Sequence, residues 1–156
     1  MVHDMAMKDE KLKGMGTTVI ICIIRDDTAH ILHAGDSRVY IADADSIQQV
    51  TKDHSIVQML IESGELTEAE AVKHPKKHYI TRALGVEKTL DAEYTECEIN
   101  EGQKLLLCTD GLTNHLEDEA IREVLFAGAP EEAPQRLIDM ANKHGGTDNI
   151  TAVVLY

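Results

Sequence analysis

Three aspartates sit beside glycine or asparagine where an apolar run begins or ends. Asp110 closes the run in "KLLLCTDGLTN", Asp36 follows Gly35 in "HAGDSRVYIA", and Asp148 precedes the last apolar stretch in "GGTDNITAVVL". Taken singly, each is most simply a turn former, since Asp caps with its side chain and Gly supplies positive φ. Taken together they admit a second reading. Strand ends on one edge of a sheet can gather carboxylates far apart in sequence, and gathered carboxylates repel one another unless a cation neutralises them. Hard oxygen donors of this kind select Mg²⁺ or Mn²⁺.

The elements that would carry these aspartates follow from pattern and turn chemistry. "TTVIICIIR", "TAHILHA" and "SRVYIADA" predict strands near 17–25, 28–34 and 37–42, separated by the turn signals "DD" and "GD", as in an antiparallel meander. "DHSIVQMLIESG" predicts a helix near 53–63, with Asp53 as N-cap, Val57, Leu60 and Ile61 on one face, and Gly64 as its stop. The Thr67 to Glu70 spacing of a capping box predicts a shorter helix near 67–73, ending before Pro75. "DAEYTECEI" alternates and "KLLLCT" is continuously apolar, which predicts strands near 92–99 and 104–109, the second buried on both faces. Helices near 117–127 and 131–143 and a strand near 150–155 complete an antiparallel α+β chain. On this layout the strand gives Asp110 a rigid base and Gly111 lets the backbone turn sharply away.

Composition narrows the function. A chain of 156 residues, 43% hydrophobic, can bury a core as one domain over 1–156 without disulfides. With 28 acidic against 15 basic residues the net charge is -13, and aromatics are 3% with no Trp, so phosphate neutralisation and base stacking are poorly supplied and nucleic acid is not expected as a partner. Cys22, Cys97 and Cys108 form no C-x-x-C pair and read as reduced core thiols of a cytoplasmic protein. "MVHDMAMKDEKLKG" has no apolar core of a leader, and Val19 to Ile24 is too short to cross a bilayer, so no membrane association is expected.

The segments "MGTTVIICII", "HAGDSRVYIA", "TKDHSIVQMLIESGELTEAEAVKHP", "ITRALG", "LLLCTDGLTN" and "GGTDNITAVVL" stand in an order that resembles bacterial members of the metal-dependent Ser/Thr protein phosphatases, the PPM or type 2C family, from about Met15 to Tyr156. The resemblance implies a sandwich of two antiparallel β-sheets flanked by helices. It also implies two Mn²⁺ or Mg²⁺ ions with a weaker third, direct attack of water on phosphorus, and phosphoproteins made by a cognate Ser/Thr kinase as substrates. Asp110 and Asp148 resemble the family's later metal-binding aspartates, and Asp36 the one that holds a third metal together with Asp110. Many relatives carry another aspartate where Asn114 stands, which implies a weaker third site here. Gly111, Asn149 and Arg38 take supporting places, Arg38 through structural hydrogen bonds. The segment 64–79 corresponds to the family's flap, and His54, His74 and His78 take structural or solvated roles.

The departure from the pattern matters as much. The family's D-G-x-G-G segment, with its bridging aspartate, its glycine carbonyl and the nearby general-acid histidine, has no counterpart here, and neither has the phosphate-gripping arginine. No catalytic residue beyond the metal ligands is therefore expected. Only fourteen residues precede "MGTT", so the chain resembles a family domain without its first third, with an open sheet edge. The expectation is a protein phosphatase by family with little activity of its own. The alternative is a non-catalytic module that binds phosphoproteins or regulates a partner and completes its sheets as a homo-oligomer.

Overall fold

Asp26 and Asp27 both take positive φ, 48° and 62°, the backbone that lets a two-residue turn follow the twist of its strands. The turn joins β1 (Val19–Arg25) to β2 (Thr28–Ala34). The computed structural model describes residues 1–156 and divides into two units, one of Met1–Ile21, Ile31–Asp36 and Lys52–Tyr94, the other of Cys22–His30, Ser37–Thr51 and Thr95–Tyr156. Seven strands form two sheets and six α-helices accompany them, an α+β architecture. The three-stranded sheet runs β1-β2-β5, with β5 at Glu93–Glu98, and its strands are divided between the units.

The second unit holds an antiparallel sheet in the order β4-β3-β6-β7, from Ile47–Gln49, Arg38–Ala42, Lys104–Cys108 and Ala152–Leu155. Its register pairs Tyr40 with Leu106, Arg38 with Cys108, and Cys108 with Ala152. On one face Tyr40, Ala42, Leu106 and Cys108 join Leu112, Leu116, Ile121, Leu125, Ala133, Leu137 and Ala141 in a single buried cluster. The cluster members of α5 (Asp118–Phe126) and α6 (Ala133–Lys143) are spaced four apart, which is why each helix offers one stripe to the sheet. Leu105 and Leu106 are both buried, on opposite faces of β6, as its unbroken apolar run predicts.

Cations hold the end of α5, whose last carbonyls have no partner within the helix. Lys104 Nζ donates to Leu125 O at 2.7 Å and lies 4.6 Å over the Phe126 ring. Arg136 of α6 donates to the carbonyls of Val124, Ala127 and Ala129.

The first unit contains α1 (Val2–Lys8), α2 (Ile56–Glu62) and α3 (Glu68–Ala71). Helix α2 is capped by buried Ser55, whose hydroxyl accepts the Gln58 amide at 3.2 Å, and not by Asp53. The helix begins at Ile56, so the position whose oxygen reaches the third amide of the helix is Ser55, two residues past Asp53. The Thr67–Glu70 capping box forms as predicted, but α3 stops after four residues, because the chain tightens into i to i−3 bonds, Lys73 to Glu70 and His74 to Ala71, ahead of Pro75. Strand β4 and helix α1 were not expected from pattern: β4 has three residues, too few to show a period, and α1 buries none of its residues. Among the cysteines only Cys108 is buried; Cys22 and Cys97 are half-buried, so the expectation of three core thiols is corrected. No helix is long and apolar enough to cross a membrane.

If the apolar seam dominates this unit, Leu137→Ala should cost about 2–5 kcal/mol in urea unfolding and Lys104→Met only about 1–2 kcal/mol. Equal losses would move the emphasis to the helix end.

Candidate functional site

Asp110 sits where β6 ends and the four-residue helix α4 (Asp110–Thr113) begins. Thr109, just before it, carries the connection to the other aspartate. Its amide donates to Thr151 O at 3.2 Å, while its hydroxyl donates to Asn149 O at 3.2 Å and accepts the Thr151 amide at 3.0 Å. These bonds continue the β6–β7 pairing past its last regular pair, and they explain why β7 begins at Ala152 and not at 150. The "TDG" and "TDN" segments, 38 positions apart (148 − 110), are thus joined through the Thr109 hydroxyl.

Gly111 is part of the same junction, for a reason other than the one expected. It lies inside α4 and has no positive φ, so it does not turn the backbone. A Cβ built at Gly111 would stand 2.3 Å from Asn149 O, and only glycine lets the two segments approach this closely. One oxygen of each carboxylate is held by the chain: Asn114 Nδ2 donates to Asp110 Oδ2 at 3.1 Å, and the Asn149 amide donates to Asp148 Oδ1 at 2.7 Å. Asp110 is half-buried and Asp148 exposed.

Asp36 stands in the first unit, between buried Gly35 and buried Ser37. Arg38, in the second, donates from Nη1 to the hydroxyl of buried Tyr40 at 3.0 Å, and burial pushes that phenol's pKa up. Nowhere are three or more His, Cys, Asp or Glu side chains grouped so that they could hold a metal ion. The donor chemistry of Asp110 and Asp148 suits a hard divalent cation.

Residues 2–144 match the family model described as "Protein phosphatase 2C". The chain belongs to the protein phosphatase 2C family. It is 36% identical over 155 residues to the protein phosphatase PhpP of Streptococcus pneumoniae, a match that covers 99% of this chain and 63% of that protein. The crystal structure of the serine/threonine phosphatase Stp1 from Staphylococcus aureus superposes with a TM-score of 0.93 at 32% identity, covering 98% of this chain and 61% of that one. The catalytic domain of the phosphatase PstP, solved in complex with two manganese ions, gives 0.86 at 35% identity over 98% of this chain and 64% of its own. The chain thus spans a little over three fifths of the length of each of these three proteins.

Beside Gly35 the structural role expected of His54 takes the form of a polar network whose other members the sequence did not point to. His54 Nδ1 accepts the Gly35 amide at 3.2 Å, and its Nε2 lies 3.2 Å from Glu93 Oε2. Arg82 Nη1 lies 3.0 Å from the same nitrogen and pairs through Nε with Asp91 at 3.3 Å. The His33 ring stacks on His54, with centroids 4.5 Å apart, and its Nε2 donates to Lys52 O at 2.9 Å, leaving a buried Nδ1 without a partner. Burial, with the Arg82 and His33 charges adding to it, lowers the His54 pKa against the opposing Glu93 hydrogen bond. The signal available in sequence was weak: a histidine three residues before Asp36 and another in "KDHS".

Two outcomes follow. Gly111→Ala should force the "TDG" and "TDN" segments apart and lower the thermal midpoint by several degrees, a larger loss than in Gly102→Ala, where a Cβ meets nothing within 4 Å and only the φ of 85° opposes a side chain. Because folded His54 resists the proton that the unfolded chain accepts near pH 6.5, its contribution is complete above that pH and is lost as pH falls below it, by at most about 1.4 kcal/mol per pH unit. The stability gap between the native chain and His54→Gln should therefore narrow on acidification, and parallel melting curves from pH 7.5 to 5 would remove this account.

Proposed function

We propose that this chain carries the later metal-binding half of a protein serine/threonine phosphatase that removes phosphate from phosphoserine and phosphothreonine of proteins, in the cytoplasm, opposite a cognate Ser/Thr kinase. The observation that carries the reading is the Thr109–Gly111 junction, which joins the segments of Asp110 and Asp148 in a chain of this family. Asp110 and Asp148 would hold Mn²⁺ or Mg²⁺, with Asp36 contributing to a weaker ion. When bound, such a cation supplies positive charge to phosphoryl oxygens in the transition state. The chain's own residues prepare for it. Asn114 orients the Asp110 carboxylate, the Asn149 amide orients that of Asp148, and Gly111 keeps the two segments close.

Two carboxylates are fewer donors than a tightly held pair of ions requires, and no arginine or histidine for phosphate binding or leaving-group protonation has been assigned. The 156-residue chain alone should therefore bind Mn²⁺ weakly in calorimetry and hydrolyse p-nitrophenyl phosphate and a phosphothreonine peptide near background. Co-expression with the D-G-x-G-G segment of a full-length relative should raise the rate, and Asp110→Asn should abolish that gain. Rates for the chain alone equal to an intact relative's would show a complete site built from other residues, and no Mn²⁺ binding at all would favour a non-catalytic phosphoprotein-binding module.

A further inference from the structure

His115 lies in the turn just after α4, one residue past its C-cap Asn114, and its ring reaches the loop that carries Asp148. Its Nε2 accepts the Thr147 amide at 3.3 Å and lies 3.0 Å from the Thr147 hydroxyl. A backbone N–H can only donate, so Nε2 presents its lone pair and the ring proton sits on Nδ1. Gly145 rests against the same ring: a Cβ there would stand 3.0 Å from His115 Cε1, and its φ of 138° also favours glycine. At its own end the histidine is anchored, since its amide donates to Leu112 O at 3.1 Å and the next residue, Leu116, is buried in the core cluster. Leu112 itself is fully buried.

We propose that His115 is a positioning residue for Asp148, a strap from the rigid end of α4 to Thr147 that fixes the loop "GGTD" relative to Asp110. The proposal rests on the reading of Asp110 and Asp148 as cation ligands. The physical case is preorganisation. Asp148 is exposed and follows two glycines that both take positive φ, 138° and 53°, so the loop has much backbone freedom to lose when a cation orders it. Two like charges also drift apart without a cation. A side chain that bonds the residue immediately before Asp148, and stands in the turn that ends the helix begun by Asp110, bears that ordering cost before the ion arrives. Thr109 fixes the loop from the strand side through Asn149 and Thr151, and His115 fixes it from the other side of Asp148.

The test uses the full 156-residue chain with His115→Ala, His115→Gln, His115→Met and Thr147→Ser, read by ¹⁵N–¹H spectra in the absence of metal and by calorimetric titration with Mn²⁺ alone. Loss of an outer partner of a metal ligand typically costs about 10-fold to 100-fold in affinity. His115→Ala should shift the Thr147 and Asp148 amide resonances, speed their exchange and weaken Mn²⁺ binding by about 10-fold. His115→Gln, whose Oε1 can accept the Thr147 amide, should restore most of the affinity, and Thr147→Ser should match the native chain. An unchanged Thr147 amide in His115→Ala overturns the strap. Shifted amides with unaltered Mn²⁺ affinity overturn the positioning role, as does a Gln variant no better than Ala. If the native chain binds no Mn²⁺, the cation reading fails, and the strap is decided by whether the Asp148 amide shifts in His115→Ala and returns in His115→Gln. Should His115→Ala not fold, the same comparison is made between His115→Met, whose thioether is only a weak acceptor for the Thr147 amide, and His115→Gln.

Discussion

The close approach of Gly111 to the Asn149 carbonyl is the constraint on which the rest of the candidate site depends. Strand pairing alone ends at Cys108 and Ala152, and beyond that point two chains would normally diverge into solvent. Thr109 prevents the divergence by presenting both a donor and an acceptor from one hydroxyl, which serves the Asn149 carbonyl and the Thr151 amide at once. A valine of the same shape would fill the space and satisfy neither. With the hydroxyl bonds made and no Cβ at Gly111, the segments that carry the two aspartates stay in contact.

The charge of those aspartates is handled locally, by neutral donors. Asn114 and the Asn149 amide each hold a single carboxylate oxygen, and no lysine or arginine pairs with either side chain. An ion pair would compete with a metal for the same oxygens, whereas an amide orients a carboxylate without neutralising it. Cations are placed instead where they stabilise the fold: Lys104 and Arg136 close the end of α5, and Arg82 faces Asp91 and Glu93. In a chain with 15 basic and 28 acidic residues, that distribution leaves the Asp110 and Asp148 carboxylates without an ion pair.

What the sequence made legible, and what it hid, divides along the range of the interactions involved. The unbroken "KLLLC" run showed a strand buried on both faces, and the Thr67–Glu70 spacing showed a cap, because both signals are local and periodic. Asp110, Asp36 and Asp148 stood out because a charge at an apolar boundary is costly without a reason. The role of Gly111 was misread because an Asp-Gly pair signals a turn locally, while its actual neighbour, Asn149, is 38 positions away (149 − 111). Ser55 displaced Asp53 as a cap for a similar cause, since only the folded unit shows which oxygen lies near the donor. The His33–His54 stack and the His115–Thr147 contact left no trace in spacing, as a histidine's partner is chosen by tertiary position.

Both aspartate-bearing turns nevertheless share one physical solution, reached separately in each unit. Gly35 combines a φ of 116° with a Cβ position 2.4 Å from Thr18 Cγ2, so its conformation and its crowding each exclude a side chain. Its amide, which such a backbone would leave buried and unsatisfied, is taken by His54 Nδ1. At the other turn the crowding falls on Gly111 and the backbone groups are taken by Thr109 and His115. In each case a glycine removes bulk beside the aspartate, and a neutral side chain from a distant part of the sequence satisfies the main chain that the missing bulk exposes. The price is a histidine that must remain unprotonated at the nitrogen facing the amide, which ties the geometry of Gly35 to the low proton affinity that burial gives His54.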